Sequence, residues 1–283
     1  MIPLKDNVPT ARFPLVTVLL IVVNIGVFFW QLSFSGSQEP AALSRAGISG
    51  LSERDEKSVQ YGAIPYRVLH PGKDCAFGVT RQSSEADVVC QGTPEYRNAS
   101  GPGGTLVKYS NPPWYLTVFT SMFMHGGILH IAFNMLFLWI FGNNVEDAMG
   151  RGRYLLFYLL AGIAAVYAQS AIDPSGTLPS IGASGAIAGV LGAYAVLLPR
   201  ARVLTVVILI FFFTLIEIPA FVMLGIWFLL QFIPAVGQVA VPDVGGQGGV
   251  AYFAHVGGFV FGLALVKLFA RRQPGLPAPL RVR

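Results

Sequence analysis

Ser184 sits in the stretch Ile181-Gly182-Ala183-Ser184-Gly185-Ala186-Ile187-Ala188-Gly189-Val190-Leu191-Gly192. Spacing of three and four places Gly182, Gly185, Gly189 and Gly192 on one helical face, where small residues allow a second helix to approach closely. Packing alone would account for such a stripe. A serine at a helix start, after a Gly-Ala turn, also has free backbone N–H groups and the positive end of the helix dipole beside it. That setting suits a nucleophile whose attack generates an oxyanion. The second constellation is Ala251-Tyr252-Phe253-Ala254-His255-Val256-Gly257-Gly258, with Gly262 one turn further on. An ionisable residue inside an apolar run is costly to bury and is either hydrogen-bonded between helices or functional. Gly258 and Gly262 match the glycine face that carries Ser184, and two helices meeting through glycines would bring hydroxyl and imidazole into hydrogen-bond reach.

A third group is His125, His130 and Asn134 in a further apolar run. His130 and Asn134 are one turn apart and share a helical face, and each can donate a hydrogen bond to an oxyanion. The same pattern could suggest metal binding. No Cys or carboxylate cluster accompanies it, and Asn is a poor transition-metal ligand, so neither metal nor cofactor is expected. Glu146 and Asp147 lie beside Arg151 and Arg153 and read as a polar cluster at the inner end of that run.

The elements that must position these residues are those of a membrane protein. Of the 283 residues 54% are hydrophobic and 12% charged, against about 25% charged in soluble domains. The net charge of +5 comes from basic residues flanking apolar runs, so it reads as a topology signal and not as a nucleic-acid footprint. Apolar runs occur at roughly 14 to 32, 117 to 142, 154 to 171, 183 to 198, 203 to 236 and 250 to 270. The first corresponds to about 28 Å of helix and is expected to be a retained span, not a removed signal. The fifth is too long for one ordinary span and is interrupted by Glu217, Pro219 and Gly225, which leaves one span, two spans, or a membrane-dipping stretch plus one span.

Lys5, Arg12, Arg151, Arg153, Arg200, Arg202, Lys267, Arg271 and Arg272 flank alternate ends of these runs. The positive-inside rule places them in the cytoplasm, and parity then allows one net crossing after Arg202. The expectation is an all-α polytopic protein with six transmembrane helices and both termini cytoplasmic, in a bacterial cell membrane. Its expected parts are a cytoplasmic N-terminus with the first span (1–32), a large extracytoplasmic loop (33–113), a core with five further spans (114–272) and a cytoplasmic tail (273–283). The two cysteines, Cys75 and Cys90, both fall in that loop and could pair if it faces an oxidising compartment.

Taken in order, HxxxxHxxxN, GxSG and AHxxG, carried here by His125, His130, Asn134, Gly182, Ser184, Gly185, His255 and Gly258, resemble the rhomboid family of intramembrane serine proteases. The resemblance runs from the first span to Lys267 and leaves the loop uncovered. It implies a rhomboid-like six-helix bundle in which Ser184 is the nucleophile and His255 the general base. His130 and Asn134 would assist the Ser184 backbone N–H at the oxyanion, and the partners would be transmembrane substrates and the lipid bilayer. Two positions depart from the family pattern. The usual Trp-Arg before the second span is replaced by Trp114-Tyr115, and the usual tyrosine one turn after the serine is Ala188, with Tyr252 a possible substitute. The rival expectations are a rhomboid-like pseudoprotease that binds membrane clients, and a small-solute transporter using the same midplane residues.

Overall fold

The computed structural model describes residues 1–34, 51–79, 86–209, 212–240 and 250–271. The chain opens with strand β1 (Ile2–Asp6) and helix α1 (Leu15–Leu32). A polar segment follows, with α2 (Glu53–Tyr61), α3 (Pro65–Leu69), β2 (Cys75–Val79), β3 (Asp87–Cys90), α4 (Pro94–Ser100) and β4 (Thr105–Val107). Next come α5 (Trp114–Thr120), a single 3₁₀ turn, α6 (Ile128–Met149), α7 (Arg151–Ile172) and α8 (Ser184–Leu197). The chain then forms β5 (Arg202–Leu209), β6 (Phe212–Pro219), α9 (Ala220–Ala240) and α10 (Tyr252–Phe269). The expected cytoplasmic tail, 273–283, lies outside the described residues, as does much of 33–50.

By length and composition, α1, α6, α7, α9 and α10 can cross a membrane. The sixth apolar helix, α8, has 14 residues, about 21 Å at 1.5 Å per residue, less than a hydrocarbon core. Its residues from Gly185 to Tyr194 are all buried, so it is enclosed by its neighbours. Leu138, Phe141, Phe157, Tyr158, Val190 and Leu191 form the centre of the core around it.

Where the sequence left the run after Arg202 open, the structure shows a β-hairpin followed by one helix. β5 and β6 are rich in β-branched and aromatic residues, which favour strands, and β1 adds to the hairpin to give the sheet order β1-β5-β6. The second span also begins later than its apolar run. α5 ends at Thr120, and α6 starts after Gly126-Gly127, since glycines interrupt a helix cheaply. α6 and α7 are joined through Gly150 alone, whose φ of +79° a side chain would disfavour.

The basic segments gather at one end of the bundle. Asn7 N donates to Arg202 O and Arg271 N to Ala148 O. Glu146 there accepts from Val16 N (3.0 Å), Thr17 N (2.8 Å) and Thr17 Oγ1 (2.8 Å), so its carboxylate caps the start of α1. Asp6 Oδ2 accepts from Tyr194 Oη at 2.6 Å and Asn144 Nδ2 at 2.7 Å, which ties β1 to α8 and α6.

At the opposite end the polar segment folds around a second sheet, ordered β3-β2-β4, in which Cys75 and Cys90 face each other and are joined in a disulfide. Ala63 and Ser180 form a two-way backbone bridge, N to O at 3.0 and 2.9 Å, while Tyr66 N donates to Gly176 O and Arg54 Nη2 to His125 O. The polar segment therefore grips the connection between α7 and α8, immediately before Ser184.

Candidate active site

Ser184 is the first residue of α8, and the turn before it is shaped by Gly182, whose φ of +131° favours glycine. Gly182 N donates to Ser121 O at 2.8 Å, anchoring that turn on the 3₁₀ segment ahead of α6. The first backbone hydrogen bond inside α8 is Ile187 N to Ala183 O. The N–H groups of Ser184, Gly185 and Ala186 thus have no described backbone acceptor; Ser184 is half-buried, while Gly185 and Ala186 are buried.

His255 lies in the first turn of α10, beside the start of α8, because the two helices touch backbone to backbone. A Cβ on Gly258 would strike the Gly185 carbonyl oxygen, one on Gly262 the Gly189 carbonyl oxygen, and one on Gly192 the Phe259 carbonyl oxygen. Ser184 Oγ stands 2.7 Å from His255 Nε2. With the hydroxyl donating, Nε2 is the acceptor and the ring proton sits on Nδ1, which faces Gln231 Oε1 at 2.8 Å.

His130 brings a second imidazole close to Ser184. Gly126 N donates to its Nδ1 at 3.2 Å, which leaves Nε2 as its N–H. That Nε2 borders Gly182, so that a Cβ there would lie 2.8 Å from it and 3.5 Å from Ser184 Oγ. Asn134, 6% exposed, directs Nδ2 to His130 O at 3.0 Å, and its second amide proton remains available. His125 is fully buried outside α6, its ring 5.2 Å from that of His130. A cavity of about 40 Å³, room for on the order of one water, adjoins Ser184 between Ser121, Ser180 and Ala254. Among the described residues no group of His, Cys, Asp and Glu could hold a metal ion.

A family model described as the Rhomboid domain matches residues 113–272, more than half of the chain. The chain belongs to the rhomboid family. It is 51% identical over 74 residues to the rhomboid protease GluP of Bacillus subtilis, covering 26% of this chain and 14% of that protein. It is 31% identical over 152 residues to the mitochondrial rhomboid protein 1 of Saccharomyces cerevisiae, covering 52% and 40%. With the human mitochondrial presenilin-associated rhomboid-like protein it shares 31% identity over 117 residues, covering 39% and 31%. The chain thus spans less than half the length of these relatives. Membership supports an intramembrane protease-type function, and the long apolar helices make this rhomboid a multi-pass membrane protein. The relatives include mitochondrial proteins, so they do not support the bacterial cell membrane expected from the sequence.

Two side chains at the rhomboid site escaped the sequence reading. Tyr252 has no described contact with the imidazole, and it is Trp227 of α9 that faces His255, at 6.1 Å between ring centres. Gln231, one turn beyond Trp227, makes the hydrogen bond to Nδ1. A signal for it was present, since a lone polar residue in the apolar run from Phe221 to Ile233 is expensive unless it has a partner.

Proposed function

We propose that the protein is an intramembrane serine endopeptidase that cleaves transmembrane segments of other membrane proteins through a Ser184–His255 dyad. The observation that carries this reading is the 2.7 Å contact between Ser184 Oγ and His255 Nε2 at the N-terminus of α8. Ser184 Oγ attacks a peptide carbonyl carbon as its proton passes to Nε2, and the carbonyl oxygen becomes an oxyanion. The Ser184 N–H, His130 Nε2–H and Asn134 Nδ2–H are the donors proposed to receive that charge. Collapse breaks the C–N bond while Nε2 returns the proton to the leaving amine. Water, deprotonated by His255, then hydrolyses the Ser184 ester.

An intact helix hides its carbonyls in its own hydrogen bonds, so substrates are segments that unwind near small or helix-breaking residues. By the positive-inside rule the end carrying Lys5, Arg12, Arg151, Arg153 and Arg271 is cytoplasmic, and residues 33–113 lie on the opposite face, against the core of 114–272.

The test is incubation of purified protein with a model transmembrane substrate. Discrete fragments are expected from the wild type and none from Ser184→Ala or His255→Ala. The double variant should be no worse than either single, because the pair performs one step. Undiminished cleavage by Ser184→Ala would overturn the assignment, and no cleavage by the folded wild type would favour a client-binding pseudoprotease.

A further inference from the structure

We infer that Gln231 is a positioning residue for His255, the third member of a Ser184–His255–Gln231 relay in which a neutral amide takes the place of a carboxylate. The inference rests on the dyad reading and adds a residue outside it.

Three contacts lead to this assignment. Gln231 Oε1 lies 2.8 Å from Nδ1, and Ser184 Oγ lies 2.7 Å from Nε2, so the two ring nitrogens are engaged from opposite sides. The amide oxygen accepts only, which requires the proton on Nδ1 and keeps the Nε2 lone pair directed at the hydroxyl. The same oxygen remains in place when Nε2 gains the serine proton, because the Nδ1–H it accepts is present in both states of the ring. The third is the packing of the two helices: Trp227 and Phe228 of α9 lie on Phe259 of α10, at 5.9 and 4.8 Å between ring centres. Residue 231 lies one turn after 227 and residue 255 one turn before 259, so an antiparallel register that seats Trp227 on Phe259 also seats Gln231 on His255.

The residue type suits the surroundings. A carboxylate at this depth would be a buried charge needing compensation, whereas an amide supplies the acceptor without one. The position one turn after Ser184, where family resemblance expected a tyrosine against the imidazole, is Ala188, fully buried and too small to reach the ring. Here the restraint comes from α9.

The test combines kinetics and spectroscopy. In wild-type protein in detergent, ¹⁵N NMR of histidine, with His255 assigned by difference from His255→Ala, should show the Nδ1–H tautomer. A predominant Nε2–H tautomer would overturn the proposal without any variant having to fold. Gln231→Leu should lower kcat on the model substrate about tenfold, the scale of one lost hydrogen bond that orients a base, with KM unchanged and both tautomers populated. Gln231→Glu, which keeps the acceptor, should restore the Nδ1–H tautomer and recover kcat above that of Gln231→Leu. Wild-type kcat in Gln231→Leu, or a loss confined to KM and thermal stability with the tautomer unmoved, would make Gln231 a packing residue. Ser184→Ala run alongside separates the two readings: activity in Ser184→Ala sinks the dyad itself, while an inactive Ser184→Ala with a fully active Gln231→Leu sinks only the relay.

Discussion

Gly185 and Gly258 meet backbone to backbone, so close that a Cβ on Gly258 would lie 2.1 Å from the Gly185 carbonyl oxygen. Ser184 precedes the first glycine and His255 lies one turn before the second. The separation of the two helices, and with it the 2.7 Å contact between hydroxyl and imidazole, is therefore set by the absence of side chains at these positions.

Gly258→Val and Gly262→Val are accordingly expected to push α10 away from α8. Overpacking of this kind costs about 1 to 3 kcal/mol, and cleavage should fall further than stability because the dyad is pulled apart. Gly225→Ala in α9, where a Cβ meets nothing within 4 Å, should unfold no earlier than the wild type. Thermal unfolding in detergent beside a cleavage assay checks both, and wild-type turnover by Gly258→Val would contradict the account.

Asn134→Ala should slow turnover by roughly a hundred- to a thousand-fold without eliminating it, since one oxyanion donor is lost while the Ser184 N–H and His130 remain. KM should change little, because the interaction strengthens only as charge develops. Steady-state kinetics decide the matter. A raised KM with unchanged kcat would make Asn134 a substrate-recognition residue.

Asp6 carries a pH dependence at the basic end. Burial raises its pKa above the ordinary value of 3.8, against hydrogen bonds from Tyr194, the Val8 backbone and Asn144 and the charge of Lys5, which lower it. A raised folded-state value means that the folded protein holds this proton more tightly than the unfolded chain. The associated stability is complete below 3.8 and is lost as pH rises through the raised value. Melting temperatures of the wild type should therefore decline over that window relative to Asp6→Asn. Parallel curves for the two proteins would show that Asp6 ionises as freely folded as unfolded.

The Cys75–Cys90 bond closes a loop of sequence separation 15, for which chain entropy suggests about 3 kcal/mol of stabilisation. Cys75→Ser with Cys90→Ser should loosen the β2–β3 sheet, detected as earlier proteolysis between Ser52 and Asn111. Cleavage activity should fall only as far as the Ala63–Ser180 bridge is weakened. Free thiols in unreduced, denatured protein would show that the pair does not form in its compartment.

Much of the helical layout was legible because it is local. Periodic glycines, apolar runs and flanking arginines depend on residues a few positions apart, and a run of β-branched residues or a Gly-Gly pair carries its own preference. The membrane character, the rhomboid pattern and the residues proposed for chemistry, Ser184, His255, His130 and Asn134, all come from such short spacings. Tertiary structure decided what lies between distant segments. β1 completes a sheet with strands some two hundred residues later, and the apolar run after Arg202 opens with that hairpin before its one helix. Ala63 docks on Ser180, and Gln231 reaches His255, only because helices and strands remote in sequence pack in one register. Matched glycine stripes announced the approach of α8 to α10, but the partner of His255 Nδ1 depends on the axial offset of α9 against α10, which packing sets and no spacing within either helix encodes.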